Sequence, residues 1–251
     1  MNKFLATAAA ACIAFAGSVS ASTISISAFS ITDYNNAVGF TNFDTQDFED
    51  LGATMFPESD TVGGLIGGSL DTNVGTFESA GGKGTGEACI PSGDCAADLY
   101  LKKDITFGQG NMVPFDGSWS LNSNDTLGII WEVVRESGAM FNRVVFGLMD
   151  AADQGAIVEV EVGTSFAQLE NRPDKEMKLI VIDFAQLVSS ATVRITNANF
   201  VINPDGTVSG NDGFSIDGAG VGVVPLPASG LLLLTGFGAL ALYRRRKQAN
   251  A

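Results

Sequence analysis

The stretch AIVEVEV (Ala156–Val162) decides the fold class. Val158, Val160 and Val162 point to one side of an extended chain, and Ile157, Glu159 and Glu161 to the other. A period of two, with one apolar face and one largely charged face, is what a half-buried sheet asks of a strand. The neighbouring segments repeat the signal. LGIIWEVV (Leu127–Val134) and NRVVFGLM (Asn142–Met149) are rich in Ile, Val and aromatic residues, and Arg135–Met140 between them, with Gly138, reads as a hairpin turn. Further on, Met177–Phe184, Thr192–Asn197, Phe200–Ile202 and Gly213–Gly218 read as strands, with a short helix over Asp174–Gln186 as a competing reading. Upstream lie Asp98–Phe107 and the alternating STISISAFS (Ser22–Ser30), followed by a turn-like break at Asp33–Asn36. Strands recurring every roughly 8–15 residues, broken by Gly, Asn and Asp, predict an all-β sandwich of jelly-roll-like type. The Gly-dense run Val62–Gly86 carries no phosphate-loop frame around Lys83 and reads as loops joining strands.

The two ends differ from this body. Residues 1–21 place Lys3 before an apolar run from Phe4 to Ala16 and then the small residues Val19-Ser20-Ala21, the pattern of a cleavable secretory signal peptide. Residues 224–251 read VPLPASGLLLLTGFGALALYRRRKQANA: a Pro-bracketed motif, an uncharged run from Ala228 to Tyr243, and the cluster Arg244, Arg245, Arg246 and Lys247. An apolar helix with a basic end spans a bilayer with that end on the cytoplasmic side. This run is shorter than the roughly 20 residues of a full span, which suits a segment held briefly and then cut. The expected domains are therefore a signal peptide (1–21), an exported β-sandwich (22–223) and a tail (224–251).

Charge and cysteine use agree with export. All 28 acidic residues fall in 22–223, whereas five of the 14 basic ones (Lys3 and the terminal four) fall outside, which leaves the exported part a net charge of −19. Such a surface repels nucleic acid and suits divalent cations. Cys89 and Cys95 in CIPSGDC form an even pair for an oxidising compartment and read as a disulfide closing a small loop. The chain has no His, so Ser-His-Asp catalysis, His-bound metals and the usual neutral-pH base are all excluded.

The tail resembles the PEP-CTERM protein-sorting signal in its VPLPA variant. The matching residues are Val224, Pro225, Leu226, Pro227 and Ala228, then the apolar run and the Arg cluster. The resemblance covers about a tenth of the chain. It implies recognition and cleavage by a membrane transpeptidase-like exosortase, an inner-membrane-held stage followed by cell-surface or extracellular release, and an association with extracellular polysaccharide and biofilm.

Within the body, three constellations bear on chemistry. DFEDLG (Asp47–Gly52) and NDGFSIDG (Asn211–Gly218) put carboxylates around apolar residues early and late in the domain. If the two segments pair, Asp47, Glu49, Asp212 and Asp217 converge as oxygen ligands for a calcium cofactor. NDGFSIDG is similar to the closing strand of jelly-roll adhesion and carbohydrate-binding modules, some of which hold a structural calcium; turn residues flanking a core strand are the plainer reading. GLMDAADQGA, with Asp150 and Asp153, reads as a hairpin turn and resembles a loop common in VPLPA-tailed proteins. Glu132 with Glu159 or Glu161 offers the carboxylate pair a glycoside hydrolase needs, or a solvated sheet face.

Among two Trp and three Tyr, Trp131 sits in an apolar strand and reads as core. Trp119, in the loop-like FDGSWSLNS, is the candidate glycan contact, with Tyr34 and Tyr100 behind it. The leading expectation is an exported, non-enzymatic surface or extracellular-matrix protein. The alternative is a carbohydrate-binding module with structural calcium, and the third reading is a carboxylate-based hydrolase.

Overall fold

Strands that are apolar on one side must bury that side, and this chain does so by stacking two antiparallel sheets. The computed structural model describes residues 23–38, 42–57, 63–84, 96–103, 117–150, 156–171, 177–197, 200–209 and 213–225. The chain begins with β1 (Ile24–Ser30), a 3-10 turn (Ile31–Asp33), α1 (Tyr34–Val38), β2 (Phe43–Gln46) and α2 (Glu49–Met55). Short strands follow: β3 (Gly63–Leu65), β4 (Leu70–Thr72), β5 (Gly75–Ser79), β6 (Tyr100–Lys103) and β7 (Trp119–Asn122). The longer ones are β8 (Gly128–Val133), β9 (Phe141–Met149), β10 (Ala156–Val162), β11 (Ser165–Asn171), β12 (Met177–Val188) and β13 (Ala191–Asn197). A small two-stranded ribbon, β14 (Val201–Ile202) and β15 (Val208–Ser209), precedes the closing strand β16 (Ser215–Gly222).

One sheet runs β1-β12-β9-β16-β7-β6-β3, with β2 also paired to β16, and the other runs β11-β10-β13-β8-β5-β4. The alternation read in Ala156–Val162 is present: Val158 and Val160 are buried and Glu161 is exposed. The sheets are joined through a run of rings. Phe48 meets Phe77 edge-on at 5.6 Å, Phe77 stacks on Trp131 at 5.0 Å, and Trp131 meets Phe146 of the opposite sheet edge-on at 6.1 Å. Trp131 is fully buried, as its sequence context implies, and its Nε1 donates to the Val74 carbonyl at 3.0 Å. β9 is apolar on both faces because α1 covers its outer side, where Tyr34 and Ala37 pack on Val145, Leu179 and Val181.

Several local readings are corrected. Arg135–Met140 and the Asp150 segment are not hairpin turns, because β8 and β10 lie in one sheet and β9 in the other, so both connections cross between layers. Val62–Gly86 is not only loop but holds β3, β4 and β5, three short strands that send Leu70 and Phe77 into the core. The competing helix over Asp174–Gln186 is replaced by β12, twelve residues long. Asp33–Asn36 is not a simple break, since α1 starts there. The expected signal peptide (1–21), Cys89, Cys95, Asp153, Asp212 and residues 226–251, including Leu226, Pro227, Ala228 and the Arg244–Lys247 cluster, lie outside the described residues. Among the described residues no helix is long and apolar enough to cross a membrane.

Candidate functional site

The early and late acidic segments are brought close, with Asp212 of the expected ligand set outside the described residues. β2 pairs with β16 in the register Gln46↔Ala219 to Phe43↔Gly222, so DFEDLG leaves the sheet directly beside the closing strand. Its residues are spent on structure. Asp47 Oδ1 accepts the Glu49 N–H at 3.2 Å at the start of α2. Phe48, buried and left-handed at φ 63°, turns the chain, and its N–H is held by Gln46 Oε1 at 2.6 Å. Glu49 Oε1 accepts the backbone N–H groups of Ser118 and Trp119 at 2.8 and 2.6 Å. Burial raises the Glu49 carboxyl above the ordinary range; those two N–H groups oppose the rise, and Asp47 and Asp50 add to it.

Asp217 is fully buried at an irregularity of the β16–β9 ladder, and its Oδ1 accepts the Gly218 N–H at 2.6 Å. Tyr34 feels both segments: burial first, then the charges of Asp217 and Asp47, push its hydroxyl pKa up. Among the described residues no three Asp, Glu or Cys side chains gather as a metal site.

Trp119 is a correction. It is 5% exposed, in the core, and cannot meet a glycan. Phe56 stacks on it at 6.1 Å, the Lys103 ammonium sits 5.9 Å from its ring, and Gly52 of α2 faces it. Tyr34 and Tyr100 are buried as well, each at 7% exposure. The polar letters around Trp119 suggest a loop only because its partners, Glu49, Gly52 and Phe56, lie more than sixty residues away.

A different surface has the form of a binding site. An open groove of about 620 Å³ lies where the end of β2, the β4–β5 turn and the exit from β8 meet. That volume is within the usual range for ligand sites. Its polar lining includes Gln46, Asp71, Asn73, Thr76, Arg135 and Glu136. Each is placed by local bonding. Thr76 Oγ1 donates to Asp71 Oδ1 at 2.7 Å across the hairpin, and Asn73 Nδ2 donates to the Thr45 carbonyl at 3.0 Å. The Glu136 N–H donates to the Asn73 carbonyl at 3.0 Å, tying the β8 exit to the turn.

Arg135 is 4% exposed and forks onto Asp44, Nε to Oδ2 at 2.6 Å and Nη2 to Oδ1 at 3.1 Å, which holds its guanidinium pKa high. Two buried polar atoms here are left without protein partners, the donor Arg135 Nη1 and the acceptor Asn73 Oδ1. Such atoms are rare in folded proteins, and each costs about 1–3 kcal/mol unless something satisfies it. The charge of Arg135 is already neutralised by Asp44, while Asp71 and Glu136 add negative potential. The groove therefore offers hydrogen bonds of both senses and disfavours anions. Sequence reading missed it, because Arg135 lay inside an assumed turn and Asp44 is 91 residues distant.

The remaining carboxylates form a face rather than a cleft. Glu132 is exposed on β8 with Thr192 donating to it at 2.9 Å, and Glu161 stands opposite Thr192 from the far side. No protein-family model and no curated protein matches the chain. Among solved structures it is similar to variants of the family 29 carbohydrate-binding module CBM29-2. One has 12% identity and TM-score 0.26, with 50% of this chain and 93% of that one covered. Another has 13% identity and TM-score 0.26, with coverage of 51% and 98%. Those structures were solved to probe ligand recognition by family 29 modules. At that TM-score the overlap assigns no ligand and no residue role to this chain.

Proposed function

We propose that this chain is an exported, non-enzymatic β-sandwich that contacts neutral polysaccharide at the cell surface or in the extracellular matrix, carried there by an exosortase-processed PEP-CTERM-like tail. The observation that supports glycan contact is the open groove itself, whose lining sets the amides of Gln46 and Asn73 and the hydroxyl of Thr76 beside the carboxylates of Asp71 and Glu136. A sugar hydroxyl both accepts and donates, so it can use the amides, the hydroxyl and the carboxylates of this lining alike. A phosphate or uronate meets the two carboxylates, Asp71 and Glu136. With no aromatic side chain in the lining, affinity rests on hydrogen bonds and stays modest for a single site. Calcium has no supporting cluster among the described residues and is not part of this reading.

The test is a glycan array probed with residues 22–225, followed by titration calorimetry on the best neutral oligosaccharide. Asn73→Leu and Glu136→Ala, both at the groove, should each weaken binding by roughly five- to ten-fold, the loss of about one hydrogen bond. No binding to any neutral glycan, or binding unchanged in both variants, rejects the groove as the site. The intact mass of protein recovered from culture medium tests the export half: a species still carrying residues 226–251 rejects processing.

A further inference from the structure

We infer that Asn142 is a clasp that ties Val224 into the sheet, which places modification of the C-terminal tail beyond Pro225; the second half rests on the tail being processed. The Asn142 side-chain amide donates from Nδ2 to the Val224 carbonyl at 2.9 Å, and its Oδ1 accepts the Val224 N–H at 2.7 Å. A primary amide that gives and takes in this way copies the two bonds one residue exchanges with a partner in an antiparallel ladder. It does so where the backbone ladder stops. The β16–β9 register ends at Gly222↔Arg143, and Phe141 is aligned with Val188 on the other side of β9. The side chain thus extends the sheet past its last backbone pair, and Asn142 is 7% exposed, so the bonds are shielded from water.

The clasp sits at a meeting of chain ends. Ser25, Asp183, Arg143 and Gly222 stand side by side across four neighbouring strands. Three strand spacings put the start of β1 about 14 Å from the end of β16. Thr23, Ser25, Arg143, Phe184, Val224 and Pro225 line one hollow of about 340 Å³ there, and the Ala185 N–H donates to the Thr23 carbonyl at 3.0 Å. Both expected processing points of the precursor, after Ala21 and within the tail, therefore leave the body at the same end. A processing enzyme takes its substrate as an extended strand. Val224 is already committed to a partner, so the bonds open to cleavage begin after Pro225, and earlier bonds are reached only when the clasp opens.

The experiment uses full-length protein in detergent micelles, digested with proteinase K and read by intact mass. The wild-type core should end at Pro225 or beyond. Asn142→Leu, which keeps the side-chain size and removes both bonds, should be trimmed to Val223 or further, roughly ten-fold faster, as the loss of two hydrogen bonds implies. Asn142→Asp keeps the acceptor and loses the donor, and should fall between. The Val224 amide should lose its hydrogen-exchange protection in the same order, a local readout that stands even where Asn142→Leu lowers the melting temperature. Identical end points and exchange in all three proteins overturn the clasp. In an exporting strain, pulse-chase should show the tail lost faster from Asn142→Leu. Equal rates overturn the clasp's control of processing, whereas intact tails on both proteins overturn the processing reading and the placement that rests on it.

Discussion

Arg135 and Glu49 show how two charged residues are used in opposite ways. Arg135 is almost fully enclosed and its partner Asp44 keeps 28% of its side chain exposed. Removing one member of such a pair leaves an uncompensated charge and costs about 3–5 kcal/mol, whereas replacing both with apolar groups of similar size is often neutral. Asp44→Ala should therefore cost about 3 kcal/mol in urea unfolding, the low end because Asp44 is partly wet, and adding Arg135→Met should recover most of it. Equal instability of the single and double variants would show that the pair is packing, not charge.

Glu49 is the reverse case. Its folded carboxyl binds a proton more tightly than the unfolded one, whose ordinary value is 4.5. Its contribution to stability is thus fullest below that value and is lost as pH rises through the folded pKa. Glu49→Gln keeps an oxygen for the Ser118 and Trp119 N–H groups and removes the charge. It should melt no lower than wild type at pH 7, with the difference shrinking toward pH 4. A clear destabilisation at pH 7 would mean the charge-assisted bonds outweigh burial.

At the scale of elements, what could be read locally was what packs locally. β10 was legible because its valines meet the core on one side while its glutamates meet water, so seven letters carry the whole pattern. β11 was not seen: in the edge strand SFAQLEN Ser165 is buried while Phe166 is 59% exposed, so the apolar letters do not follow the buried side. β3, β4 and β5 hid among glycines. At Gly75, φ is +117° and a Cβ would strike the Glu132 carbonyl across the ladder, so the residue that looked like a loop marker is what lets the strand approach.

The α2–β7 contact was equally hidden, and it makes a sharp prediction. A Cβ on Gly52 would overlap the Trp119 ring, which is itself boxed in by Phe56. Gly52→Ala should cost about 1–3 kcal/mol through overpacking and disturb the tryptophan fluorescence, although alanine is the better helix former. Shrinking the ring with Trp119→Leu should make Gly52→Ala nearly harmless, a coupling that distant sites would not show. Additive costs would separate the two residues.

Across the whole molecule, the order of synthesis and the order of assembly are at odds. β16, the last strand, is buried along all eight residues in the interior of its sheet, flanked by β9, β7 and β2. β2 and β9 come from early and middle chain, so the larger sheet cannot close until the C-terminus has arrived. Pairings of such sequence separation make for slow folding. The larger sheet is complete only when residue 222 has been made, and Asn142 holds Val224 two residues past the end of β16.

Truncation tests this directly. A chain of residues 22–225 keeps every described contact and should melt within a few degrees of the full-length protein in micelles, with the same near-ultraviolet circular dichroism. A chain ending at Asp212 lacks Phe214, Ile216, Ala219 and Val221, all fully buried. Each of the larger three represents about 1.5–3 kcal/mol of burial, a sum comparable with the whole stability of a domain. That shorter chain should show no cooperative melt, and a synthetic peptide of residues 213–225 added in trans should restore one. A cooperative transition for the 22–212 chain alone would mean that β9 and β7 close on each other without β16, and that the last strand is an ornament of the sheet rather than its keystone.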